Sequence, residues 1–377
     1  VKIAVNALSV QGGGGLTFLR NLLYHLLLID KKNEYLILAV EEKAEELGIR
    51  DPHPNLRTLI YPSRGWVTRG MWEQILLPWV MRRESVDILY APGNQGPVFF
   101  RFPFVLLIQS VDPFMLDVSR MPTEFRVKMK VLQILMRISV RKAKKVIAIS
   151  SYVRRLLINE FNCDPRRIDV VSHGRPHDVG FKDMHSSDDI GRYSTEVPYF
   201  LAVSDIRYNK NYEILIEAFA NASRRIAQPL NLLIAGEVQD KRYFLRLKEV
   251  ASRNNVTSVV KFLGSVDHSR LRGLYAEALA LVFPSRLESF GLPPLEAMAY
   301  GVPVLAANIE SVREVCGDAV MYFDPDSSEA VANAIVRIGN DESLRRNLVE
   351  RGRAQAKQFE WENTARETLA ILEGASE

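Results

Sequence analysis

The sequence predicts an α/β protein built from two doubly wound, Rossmann-like domains. Three observations carry this. Short apolar strands alternate with helical patterns along the whole chain, which argues for parallel sheets covered by helices. The stretch from Arg175 to Pro198 is poor in apolar residues and holds Ser186-Ser187-Asp188-Asp189, so it reads as a linker. The 377 residues, 47% of them apolar, suffice for two ordinary cores.

Taken in order, strands are expected at Lys2–Ala7, Tyr35–Val40, Arg57–Ile60, Ile88–Ala91, Phe104–Ile108, Lys145–Ile149 and Ile168–Val171. The second half adds Tyr199–Val203, Leu230–Ala235, Val259–Leu263, Leu279–Phe283, Pro303–Ala306 and Val320–Phe323. The domains then run over 1–180 and 190–358. In such sheets ligands bind beyond the strand C-termini, here in a cleft between facing domains.

The net charge of +4 divides into roughly +9 over residues 1–185 and −5 over 186–377. Cys163 and Cys316 make neither a disulfide framework nor a metal spacing, so a reducing, cytoplasmic setting is expected. The chain opens on a strand pattern rather than a signal peptide, and no apolar run reaches membrane-span length.

The run from Pro284 to Leu305 is the most informative. Glu288 and Glu296 flank a Gly291-Leu292-Pro293-Pro294 turn, with apolar strand patterns on either side. Pro suits the first helical turn and Gly the position after the last, so a helix is expected from about Pro294 to Tyr300, stopping at Gly301. Its N-terminus offers unpaired N–H groups that favour phosphate. Glu296, in the expected first turn, is repelled by phosphate and suited to hydroxyls such as a ribose diol. The bland alternative makes Glu296 a complement to the helix dipole and Glu288 a solvated loop acid.

This run resembles the retaining glycosyltransferases of family 4, whose marker is two glutamates separated by seven residues. Phe290-Gly291-Leu292-Pro293-Pro294-Leu295-Glu296-Ala297-Met298-Ala299 fits the pattern around them. Val203–Asn211 followed by Ile214–Phe219 looks like the family's strand, basic loop and helix. Ile147–Tyr152 and Val170–Gly174 look like its inter-domain approach, and Phe359-Glu360-Trp361 like the start of its C-terminal helix. The resemblance implies a GT-B fold. It implies an acceptor-binding domain over 1–180, with a helix over 360–377 returning to it, and a donor-binding domain over 190–358.

It also implies transfer of a sugar from a nucleotide-diphosphate donor to an acceptor hydroxyl with retention of configuration, in polysaccharide or glycolipid assembly. Glu296 would hold the ribose, with Ser289, Phe290, Gly291 and Leu292 around the donor. Lys210 and Arg207 would hold the diphosphate. Glu288 would bind the donor sugar, as electrostatic stabiliser or as nucleophile. Where the family often has Arg five residues before Lys210, this chain has Asp205. Rival readings are an epimerase or hydrolase of the same fold, a pyridoxal phosphate-dependent phosphorylase, or a two-domain sugar-binding protein without chemistry.

Four further motifs complete the reading. Gly12-Gly13-Gly14-Gly15 lies between the first strand and a helix expected over Leu16–Ile29, as a loop over the diphosphate or the acceptor, or as a tight turn. Gln109 stands where many family members carry His. Gln cannot act as a base, so hydrogen bonding to sugar is its expected role. Asp324-Pro325-Asp326 mimics a metal-binding acid pair, but Asp326 precedes Glu329 at capping-box spacing, so neither a metal nor any other cofactor is expected. Finally, Phe125–Lys145 reads as a basic amphipathic helix. It either covers the sheet with a solvated outer face or docks on anionic lipid near a lipid-linked acceptor. Without an aromatic platform it does not read as a nucleic-acid surface.

Overall fold

The computed structural model describes residues 1–10, 14–48, 53–61, 65–99, 102–115, 123–176 and 197–377. Gly12, Gly13 and most of the expected linker lie outside them. The chain divides into two compact units, Val1–Gly174 with Phe359–Glu377, and Arg175–Gln358.

The first unit holds seven strands: β1 (Lys2–Asn6), β2 (Glu34–Ala39), β3 (Leu56–Ile60), β4 (Ile88–Ala91), β5 (Phe104–Ile108), β6 (Lys145–Ala148) and β7 (Ile168–Val170). They pair in the order β3-β2-β1-β4-β5-β6-β7, every pairing parallel. The second unit holds β8 (Tyr199–Val203), β9 (Asn231–Ala235), β10 (Val260–Gly264), β11 (Ala280–Phe283), β12 (Val304–Ala307) and β13 (Met321–Phe323). Their order is β10-β9-β8-β11-β12-β13, again all parallel. The central strands are continuous runs of buried apolar residues, as sheets covered on both faces require. In each sheet the order reverses once, between β1 and β4 and between β8 and β11. A crevice opens at the C-terminal ends of the strands at such a switch point.

The Trp361–Ser376 helix packs on the first unit, against the Gly14–Ile29 helix and the β4–β5 region. Trp361, Ala365 and Leu372 are buried there. Thr364 Oγ1 donates to Ser172 O at 2.8 Å, and Asn33 Nδ2 to Glu373 Oε1 at 2.8 Å. Gly174 lies so close to Trp361 that a Cβ would meet its ring at 2.4 Å. His173 is edge-on to Phe18, and burial pushes its pKa down to about 3.

Several expectations change in detail. The first long helix starts at Gly14, so Gly14 and Gly15 are helical rather than loop. The helix after the Gly-Leu-Pro-Pro turn starts at Leu292, which moves Glu296 out of the first turn. The acidic cap is also corrected. Ser327, not Asp326, caps the Ser328–Asn340 helix, its Oγ accepting from Ala330 N at 3.1 Å. Asp326 pairs instead with Arg286 at 2.7 Å.

The basic helix spans Thr123–Lys142 and buries Met129, Met136 and Val140. Val127, Val131 and Ile134, at i, i+4 and i+7, form an apolar stripe on the opposite side, where they are exposed. Arg126, Lys130, Arg137 and Arg141 run beside it, also exposed. The outer face is therefore not simply polar. Met71, Ile75, Leu76, Trp79 and Phe99 are exposed in the same unit. Among the described residues, no helix is long and apolar enough to cross a membrane.

Candidate active site

The switch point of the second sheet gathers the charged residues. After β8 the chain runs through Ser204–Arg207 into a 3-10 turn, Tyr208–Lys210, and Asn211 then adopts a left-handed conformation at φ 60°. Asn tolerates this region better than most residues. Asn211 also ties neighbouring loops together. Its Nδ2 donates to Pro284 O at 3.1 Å and to Pro325 O at 2.7 Å. Arg286 N donates to Asn209 O at 3.0 Å. Thus the loops after β8 and β11 are bonded to each other.

This bracing brings Lys210 to Glu288. Lys210 Nζ donates to Glu288 Oε1 at 2.6 Å, with the side chains 7% and 15% exposed. So small an exposure makes this a largely desolvated pair, unlike the surface pairs elsewhere in the unit. Arg207 is half-buried at the start of the same turn. Asn209 and Ser285 are buried beside the pair.

Ser289 and Phe290 are buried, and Gly291 adopts φ 116°, a conformation that favours glycine, as the chain enters the Leu292–Tyr300 helix. Pro293 and Pro294 have no N–H, and Leu295 N donates to Gly291 O at 3.2 Å. In that first turn Leu292 therefore carries a backbone N–H where the two prolines after it have none. Glu296 sits one turn further, half-buried, and accepts from the hydroxyl of fully buried Tyr275 at 3.0 Å. Desolvation pushes its carboxyl up to about 7, and the Tyr275 hydrogen bond opposes that shift. A carboxyl ionising near neutrality, fixed by a tyrosine, can accept from paired hydroxyls.

The switch point of the first sheet is lined by amides. Asn94 Oδ1 accepts from Gln109 N at 2.7 Å and from Ser110 N at 3.2 Å. Gln109 Nε2 donates to Pro92 O at 2.9 Å. A Cβ on Gly15 would lie 3.6 Å from Gln109 Oε1, so the start of the first helix approaches this amide closely. At the end of β1, buried Asn6 donates from Nδ2 to buried Glu73 Oε1 at 3.2 Å.

The structure therefore brings Lys210 to Glu288 and Gly15 to Gln109. Tyr275, Asn211, Asn209, Asn94 and the Asn6–Glu73 pair were not singled out by the sequence. The Asn211 turn alone had a local signal, an Asn just before a helix. Among the described residues, no group of three His, Cys, Asp or Glu side chains is placed to share a metal ion.

Two Rossmann-like domains, each with an all-parallel sheet, are the architecture of the GT-B class. Comparison with known proteins identifies both halves. The model for glycosyl transferases group 1 matches residues 187–355, and that for Glycosyltransferase Family 4 matches residues 13–179. The chain thus carries both glycosyltransferase domains.

It is 33% identical over 244 residues to O-antigen chain mannosyltransferase B of Escherichia coli, covering 61% of each chain. It is 31% identical over 204 residues to O-antigen chain mannosyltransferase RfbU of Salmonella typhimurium, covering 54% of this chain and 53% of that one. The chain thus spans about three-fifths and about half of these curated relatives' lengths. Among solved structures, Anabaena Alr3699/HepE in complex with UDP-glucose superposes with a TM-score of 0.75 at 18% identity, over 99% of both chains. WaaG, a glycosyltransferase involved in lipopolysaccharide biosynthesis, gives 0.72 at 16% identity, over 99% of this chain and 100% of that one. At these identities the structural likeness establishes the fold.

Proposed function

We propose that the protein transfers a sugar from a nucleoside-diphosphate donor to an acceptor hydroxyl, retaining the anomeric configuration, in assembly of a surface polysaccharide or glycolipid. The observation that carries this is the switch point of the second sheet, with Lys210, Glu288 and Glu296 on braced loops. Lys210 and Arg207 neutralise the diphosphate, with Leu292 N–H as a further donor. Glu296 holds the ribose hydroxyls. Glu288 faces the donor sugar and the positive charge that develops at its ring. Electrostatic placement of this kind contributes large rate effects without a metal. The names of the curated relatives favour mannose as the donor sugar.

Glycine and the Asn94–Gln109 amides at the first unit's switch point suit the hydroxyls of a carbohydrate acceptor. The paired cationic and apolar stripes of the Thr123–Lys142 helix favour reversible contact with an anionic membrane that carries a lipid-linked acceptor. Each juxtamembrane cation contributes on the order of 1 kcal/mol, screened by salt.

The deciding experiment incubates the protein with a panel of nucleoside-diphosphate sugars, mannose donors included, with and without acceptor. Transfer with an unchanged anomeric centre in the product is expected. Release of free sugar alone, or epimerised donor, would favour the rival enzymes. Activity is expected to persist in EDTA; loss with rescue by Mg²⁺ or Mn²⁺ would overturn the metal-free assignment. Sedimentation with anionic vesicles is expected at low salt and not at high salt. Indifference to anionic lipid would defeat the membrane contact alone.

A further inference from the structure

Lys210 and Glu288, placed on different parts of the donor, are bonded to each other in this structure. Their separation is 2.6 Å with little exposure of either side chain. A lysine ammonium has three donors, so it can touch a carboxylate and a phosphate together. The two anions it then bridges repel each other, and burial of the pair weakens the screening between them. Glu288 and the diphosphate therefore compete for one cation.

The balance depends on whether the sugar is attached. With the intact donor, Glu288 has sugar hydroxyls and developing positive charge to face. With the nucleoside diphosphate left after transfer, it has Lys210 alone. Two neighbours have spare bonding capacity for such an exchange. Asn209 Nδ2 and Oδ1 and Ser285 Oγ are buried without a hydrogen-bond partner among the described residues. They lie in the same two loops as the pair, next to the Arg286 N to Asn209 O bond. Buried polar groups are rarely left unsatisfied, so these atoms can pair in a second arrangement of the loops.

We propose that Glu288 has a second role, recapturing Lys210 after transfer and so expelling the nucleoside diphosphate product. This rests on the donor-site reading above. It makes a counter-intuitive prediction: removing the Glu288 charge slows turnover and tightens product binding.

The test is a double-mutant cycle on the full chain. UDP, GDP, ADP and dTDP are titrated by calorimetry against wild type, Glu288→Gln, Lys210→Met and the double variant, with circular dichroism to check folding. Glu288→Gln is expected to bind its preferred diphosphate about tenfold more tightly than wild type, within the range of coupling seen between close charges. The gain is expected to vanish in the Lys210→Met background. An equal gain in both backgrounds would mean simple repulsion by Glu288, and no gain would mean no competition. Either result overturns the proposal while leaving the donor site intact. If none of the four binds wild type or any folded variant, the donor-site reading falls and the proposal with it.

Discussion

At the switch point of the second sheet, a lysine and a glutamate meet at 2.6 Å and a second glutamate hangs from a tyrosine. At that of the first sheet, Gln109 and Asn94 bond to backbone, and a glycine replaces bulk beside them. The topology is shared and the chemistry differs, although the first edge also holds buried Glu73, bonded to Asn6. A charged edge suits a ligand that brings its own charge, and an amide edge suits one that brings hydroxyls. Parallel-sheet geometry supplies two equivalent crevices; the residues in the loops decide which ligand each can take.

The sharpest way to break this contrast is to remove charge from the second edge. Lys210→Met is expected to lower kcat/KM about a hundredfold, the usual scale for losing one preorganised donor to developing charge. Steady-state kinetics with saturating acceptor would show it; a loss under threefold would mean that the edge is charged for stability alone.

Glu296 tests whether charge on that edge serves hydroxyls. Glu296→Ala is expected to weaken donor binding by about 1–3 kcal/mol. Its raised pKa also fixes a sign. The unliganded fold loses stability as pH rises from the ordinary carboxyl value through about 7, because ionisation is disfavoured where Glu296 sits. A ribose diol prefers the ionised form as acceptor, so nucleotide-sugar affinity should rise between pH 6 and pH 8. Glu296→Gln should flatten that rise in a calorimetric series. Affinity falling with pH would remove the ribose assignment.

The first edge is expected to respond more gently. Gln109→Ala should raise acceptor KM several-fold, about 1 kcal/mol for one neutral hydrogen bond, with donor affinity unchanged. An effect on donor affinity instead would erase the distinction between the edges.

Much of this architecture was legible in the sequence. Every strand among the described residues was; the inner ones stood out because residues buried on both faces form unbroken apolar runs such as Phe104–Ile108, while edge strands such as Leu56–Ile60 are only partly buried. Helix starts were less so. Four successive glycines read as loop, yet Gly14 and Gly15 form the first turn of the helix. The Asp326 cap failed because Ser327 was nearer the first turn and Arg286 claimed the acid. The site was legible as a set of residue types but not as contacts. Lys210 and Glu288 are 78 positions apart, and no local pattern reports that they pair. Tyr275 and Glu73 were hidden for the same reason: each meets its partner only through the fold. The outer apolar stripe of the Thr123–Lys142 helix was obscured because interleaved cations made every apolar position look inward-facing.

The Trp361–Ser376 helix, by completing the first unit, has a consequence for biosynthesis. Residues 1–174 leave the ribosome well before the helix that packs on their β4–β5 region, because residues 175–358 lie between them in the chain. The intervening residues 175–358 form a unit with its own core. The domain translated second can therefore finish folding first. Until Trp361, Ala365 and Leu372 arrive, the nascent first domain presents an uncovered apolar face. That face is the natural place for a chaperone to wait during translation.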